Sequence, residues 1–162
     1  MSRTLKQLQK SAKGDSVETV FRTFLATSGL LRAKMREYLG RHGISGTQWG
    51  VLRVLRRAEQ DSQVGVRLSD IGKHLLITPP SVTGVVNRLE KVGWVVRSSS
   101  KNDQRSKLVK LTPSGRNIIE QVVEGHRQRV YAVMAGLSAD ELREIQRLLL
   151  QLGNHLEKIP PP

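Results

Sequence analysis

A proline-led break between two short helical patterns constrains this sequence more than any other feature in it. Leu68, Ile71, Leu75 and Leu76 recur at helical spacing, which predicts a short helix over 68–76. Ile77-Thr78-Pro79 interrupts it. Thr78 suits an N-cap, where its hydroxyl can accept an otherwise orphaned backbone N–H, and Pro79 suits the first helical position, where no donor is needed. A second helix then runs from about Pro79 to Lys91 and stops near Gly93. Two short helices joined by so tight a turn form a helix-turn-helix.

The polarity of the second helix indicates what it meets. Val82, Val85, Val86 and Leu89 form one apolar stripe. At roughly 100° per residue, Pro80, Thr83, Gly84, Asn87, Arg88 and Lys91 fall on the opposite face, with Ser81 at its margin. That face is small and polar at its start, basic at its end, and carries no acidic residue. Such a helix fits a major groove, where Asn and Arg read base edges and Ser and Thr touch bases or phosphates. An amphipathic surface helix with no partner has the same pattern, so the helix alone leaves both readings open. The residues after Gly93 separate them. Trp94–Arg97 and Leu108–Leu111 are β-type runs flanking a polar, basic stretch from Ser98 to Lys107. A helix-turn-helix followed by such a hairpin is a winged helix, whose basic tip can press on phosphates or a minor groove.

On these residues the chain resembles the MarR (multiple antibiotic resistance regulator) family of winged-helix transcription factors. The resemblance is carried by LSDIGKHLLITPPSVTGVVNRLEKVGW, by Asp103-Gln104-Arg105 in the wing, and by Leu111-Thr112-Pro113-Ser114-Gly115, the family's LTxxG turn into the next helix. It extends more weakly over residues 17–157. The family wing often has consecutive arginines after its Asp; here Ser106 interrupts them. The resemblance implies a homodimeric transcriptional regulator, and an effector site between the dimer helices and the winged helix.

The charge agrees with a polyanionic partner. Lys and Arg number 27 against 14 acidic residues, a net charge of +13. No apolar run is long enough to span a bilayer, and the N-terminus lacks the apolar core of a secretory signal, so a cytoplasmic protein with no membrane partner is expected. Cysteine is absent, which excludes disulfides, thiolate metal sites and thiol-based redox sensing.

The rest of the chain is helical in pattern. Residues 1–14 read as a flexible basic tail, with a DNA-tracking arm as the alternative. A long helix is expected from about Asp15 to Arg41, then a loop in which Thr47 caps a helix from Gln48 to Gln60, then a connecting loop from Asp61 to Arg67. Thr112 caps a helix from Pro113 to about Ala135, with Ile119, Val122, His126, Val130, Val133 and Leu137 on one stripe. Ser138-Ala139-Asp140-Glu141 is a capping box that starts the last helix. In that helix Leu142, Ile145, Leu149, Leu152 and Leu156 form a seam that wants a partner helix. A mainly α fold with a small β-hairpin is therefore expected: a winged helix-turn-helix over 47–112, a helical dimerisation region from 15–46 and 113–158, and a frayed end at 159–162. A twofold dimer would present two recognition helices to a pseudo-palindromic operator.

The candidate DNA-binding residues are Thr78, Pro80, Ser81, Thr83, Gly84, Asn87, Arg88 and Lys91 in the helix-turn-helix. In the wing they are Lys101, Asp103, Arg105 and Lys107, with Arg105 entering the minor groove. Tyr38, Arg41, His42 and Trp49 are candidates for an effector pocket, against the plainer reading of Trp49 as core. None of the histidines, His42, His74, His126 or His155, shows ligand spacing. A metal site would need His42, Glu37 and His126 brought together from separate helices, and no metal or cofactor is expected. No catalytic signature is present, so no enzymatic activity is expected. A sequence-specific regulator, a repressor in sign, is the expectation. Its rivals are a non-specific architectural DNA binder, a metal-responsive regulator, and a protein-interaction module that uses the heptad seam.

Overall fold

The computed structural model describes residues 17–99 and 107–160. The basic tail over 1–14 and the wing-tip candidates Lys101, Asp103 and Arg105 lie outside them. The elements run α1 (Val17–Gly40), α2 (Gly46–Gln60), β1 (Val66–Arg67), α3 (Leu68–Leu75), α4 (Pro79–Lys91), β2 (Val95–Ser99), β3 (Lys107–Leu111), α5 (Pro113–Met134) and α6 (Ala139–Leu156). The chain forms two compact units, divided within α5 between Arg127 and Gln128. None of the described helices is long and apolar enough to cross a membrane.

In the first unit the expected hairpin belongs to a three-stranded antiparallel sheet, ordered β1-β3-β2. Val95 pairs with Leu111 and Ser99 with Lys107, while Val66 and Arg67 pair with Val109 and Leu108. The segment before the helix-turn-helix is therefore not all loop: its last two residues add a strand. Two residues carry no periodicity, and their partner lies some forty positions on, so no local pattern announces them. The core beneath is continuous. Val82, Val86 and Leu89 from α4, Ile71 from α3, and Leu52 and Leu55 from α2 are buried and pack with Val95 and Val109 of the sheet. The valine stripe of α4 is thus what anchors it.

The helix ends follow local chemistry, with two corrections. The cap of α2 is Ser45, not Thr47: the Ser45 hydroxyl accepts from the Gln48 N–H, and the Gln48 side chain accepts from the Ser45 N–H. The helix therefore starts earlier than expected. Thr78 does occupy the N-cap of α4, but its hydroxyl makes no capping bond and lies 2.9 Å from the Ser81 hydroxyl. At the other end of α4 the Gly93 N–H reaches Glu90 O and the Trp94 N–H reaches Leu89 O, with Gly93 at φ 75°. This Schellman closure explains why the helix stops at glycine. The same pattern ends α3, where Leu76 at φ 52° stands in the position that commonly falls to glycine. Thr112 caps α5, accepting from the Gly115 N–H at 3.0 Å and donating to Gly93 O at 2.6 Å, which ties the start of α5 to the end of α4.

In the second unit, α6 starts at the expected capping box, formed by Ser138 and Glu141. The Ser138 bonds hold the Glu141 carboxyl below its usual range. Ile145, Leu149, Leu152 and Leu156 of its seam are all exposed. In the first unit, α1 likewise leaves Val17, Val20, Phe21 and Phe24 exposed.

Candidate nucleic-acid interface

Burying the valine stripe turns the opposite face of α4 outward. Pro80, Ser81, Thr83, Asn87, Arg88 and Lys91 are exposed, and Gly84 is half-buried. An open groove of about 530 Å³ runs along this face, lined by Thr47, Ile77, Ser81, Gly84 and Arg88 among others. Thr47, displaced from the capping role, therefore borders the candidate site. Along the face, the Thr83 hydroxyl donates to Pro79 O at 3.1 Å, which leaves its lone pairs as the outward functionality. Lys107, at the start of β3, is exposed.

Glu90 is the one acid in α4, and its partner, Arg97, lies on β2. The carboxylate accepts from the Arg97 backbone N–H at 3.2 Å and pairs with the Arg97 guanidinium. Nη2 of the same guanidinium donates to Asn87 Oδ1 at 2.6 Å. The only carboxylate of α4 is thus neutralised from the wing strand, and does not offset the cationic outward face of the helix. Sequence reading missed Glu90 and Arg97. The signal was a Glu and an Arg seven positions apart across a helix-to-strand turn, a spacing that means nothing until the turn geometry is known.

The four effector candidates separate. Tyr38 is half-buried; its hydroxyl donates to Val122 O at 2.9 Å and its ring lies 5.1 Å from that of His42. Arg41 is exposed and donates to Glu37 at 3.3 Å. Trp49 is 5 % exposed and is part of the core, with its ring 5.0 Å from that of His126. Its indole Nε1 is buried without a hydrogen-bond partner among the described residues. Burial, and then the nearby Arg53 charge, push the His126 pKa below its ordinary value. Tyr38 and His42 are brought together, and Trp49 meets His126, but Arg41 turns to its own helix. A smaller cavity of about 220 Å³, lined by Leu55, Glu59, Lys110 and Arg116 among others, includes none of the four. Glu37, His42 and His126 do not form a ligand cluster: among the described residues no group of three or more His, Cys, Asp or Glu could hold a metal.

Comparison with known proteins agrees with this architecture. Residues 42–106 match the MarR family. The HTH-type transcriptional regulator FarR of Neisseria gonorrhoeae is 33% identical over 76% of this chain and 81% of its own length. The homoprotocatechuate degradative operon repressor of Escherichia coli is 30% identical over 83% of this chain and 94% of its own. Among solved structures, a mutant E. coli MarR complexed with operator DNA superposes with a TM-score of 0.75 at 28% identity, covering 82% of this chain and 92% of that one. With its helix-turn-helix, its winged sheet and the LTxxG turn that joins them to α5, the chain belongs to the MarR family of DNA-binding transcriptional regulators.

Proposed function

We propose that the protein acts as a homodimeric repressor that binds a pseudo-palindromic operator by inserting one α4 from each subunit into successive major grooves. The observation that carries this reading is the division of α4 into a buried valine face and an outward face of Ser81, Thr83, Asn87, Arg88 and Lys91, its only acid paired with Arg97. Pro80 and Gly84 keep that face slender. Thr83, Asn87 and Arg88 meet base edges, while Thr78, Ser81 and Lys91 meet the backbone. In the wing, Arg105 enters the minor groove oriented by Asp103, and Lys101 and Lys107 contact phosphates.

Dimerisation rests on the apolar residues that α1 and α6 leave exposed, since a helix with a continuous apolar stripe is stable when a partner covers it. On this reading residues 15–46 and 113–158 join the subunits, and residues 47–112 bind DNA. Repression, with release by a small anionic or aromatic ligand, is supported by the relative named for repressing a homoprotocatechuate degradative operon, an operon for an aromatic acid. Of the four candidates, Tyr38 and His42, whose rings lie 5.1 Å apart, are the residues assigned to that ligand. It acts by favouring a dimer whose two α4 helices are wrongly spaced for the operator.

Selection of bound sequences from random duplex DNA by the full chain tests the reading. A motif with dyad symmetry and half-sites one helical turn apart, or a multiple of it, is expected. A specific-to-random affinity ratio near one would replace it with an architectural role, and a lack of salt-sensitive binding would replace it with a protein-interaction role.

A further inference from the structure

We propose that Arg97 is a positioning residue that fixes the amide of Asn87 so that it presents its NH₂ group to DNA, giving each half-site a preference for guanine over adenine at one position. This rests on the reading of α4 as the helix in the major groove. The guanidinium is held through one carboxylate: Glu90 accepts from the Arg97 backbone N–H and pairs with Nη1. The Arg97 side chain is 18% exposed, and its fork is planar, so fixing Nη1 also fixes Nη2. Nη2 lies 2.6 Å from Asn87 Oδ1.

A guanidinium has donors and no acceptor, so the Asn87 atom that faces it is the oxygen. The amide NH₂ is then the edge turned away from the wing strand, on the exposed face of α4. A free Asn pairs with adenine by accepting from N6 and donating to N7, which needs both ends of the amide. An Asn whose oxygen is held by Arg97 offers its donors, and guanine, with acceptors at both O6 and N7, matches them along the whole base edge. Adenine places its own N6 donor where that amide also donates. Glu90 and Arg97 thus act on base choice from outside the DNA contact surface, through a side chain that does touch it.

The experiment measures guanine-to-adenine preference at each operator position for the full chain, with affinity for random duplex DNA as the reference and thermal unfolding as the check on folding. Arg97→Lys keeps a cation beside Glu90 but has no planar fork to hold the amide. Guanine preference at one position per half-site should fall roughly tenfold, and Asn87→Ala should change it little further in the Arg97→Lys background. Asn87→Asp keeps a partner for Arg97 and removes the donor. It should lose the guanine preference without loss of thermal stability. Retention of the preference in Asn87→Asp would show that the Asn87 NH₂ group does not read the base, and would overturn the proposal. So would an Arg97→Lys variant in which operator and random affinities fall in proportion. A wild-type protein with no preference at any position overturns the reading of α4 itself, an outcome distinct from the other two.

Discussion

The Tyr38 hydroxyl, which donates to Val122 O at 2.9 Å, occupies the space that a Cβ on Gly125 would need. A side chain at 125 and the Tyr38–Val122 bond therefore exclude each other, and it is the missing methyl that lets α1 lie against α5. Gly125→Ala should destabilise the protein by about 1–3 kcal/mol through overpacking. Tyr38→Phe should cost about 1 kcal/mol, the worth of one such hydrogen bond. The double variant removes the clashing oxygen and should cost less than the sum of the two. Urea unfolding of the three variants checks this, and strict additivity would mean that the two positions do not share the space.

Gly115 is a tighter case of the same kind. An added Cβ there would run into Trp94 O, a backbone atom that also accepts the Thr112 N–H at 3.1 Å. No rotamer change relieves a clash with backbone. Gly115→Ala should cost about 3 kcal/mol or more, seen as a lower midpoint in urea unfolding with helix content retained. The glycine of the LTxxG turn is thus explained by close approach: α5 starts hard against Trp94, the residue that closes the α4 Schellman turn.

These positions also show how far sequence pattern reaches. The α4 stripe of Val82, Val85, Val86 and Leu89 was legible because it repeats at helical spacing between two strong end signals, Pro79 and Gly93. Strand β1 was not, because Val66 and Arg67 are strand only through pairing with Val109 and Leu108. The α2 cap was written in the sequence as Ser45-x-x-Gln48, but Thr47 is an equally competent hydroxyl two residues on, and only the reciprocal Gln48 bond decides between them. Asn87 was recognisable as an exposed polar residue, but not as one with its oxygen engaged, because Arg97 reaches it across the turn. Trp49 resolves toward core for the same reason: its neighbour His126 comes from a helix more than seventy positions away.

His126 gives the stability a direction with pH. Burial and Arg53 lower its folded pKa below the 6.5 of the unfolded chain. Between those two values the unfolded chain binds more protons than the folded one, so stability rises with pH across the window. The contribution is complete above 6.5 and is lost as pH falls through the folded value. His126→Phe keeps a ring beside Trp49 and cannot titrate. Its urea midpoint should fall less than that of the wild type as pH drops from about 7 to about 5. Parallel curves for the two proteins would remove His126 as a source of acid sensitivity.

Arg105 and Asn87 should fail in different ways. A wing arginine that neutralises backbone charge releases counterions on binding, so Arg105→Ala should weaken operator binding and lower the slope of log K against log salt by about one. Asn87→Ala removes no charge and should leave that slope unchanged while flattening sequence preference. Titrations at several salt concentrations, on the operator and on random duplex, separate the two. An unchanged slope in Arg105→Ala would exclude the wing from the DNA contacts, and an equal loss on both duplexes in Asn87→Ala would deny it base reading.

The exposed seam of α6 carries the last test. Leu149 is 46% exposed and Ile145 40% exposed, so a charge at either position keeps much of its hydration in the isolated chain and costs it little. In a dimer that buries the seam, the same charge is desolvated without a partner, which costs several-fold more than the lost apolar contact. Leu149→Glu should therefore leave helix content and the unfolding of a dilute sample nearly unchanged. It should shift the sedimentation mass at micromolar protein from two chains to one chain of 18.1 kDa. Operator binding should weaken far more than binding to a single half-site, because only the dimer engages both halves at once. If the wild type itself sediments as one chain, the exposed stripes of α1 and α6 must be covered by something other than a second copy.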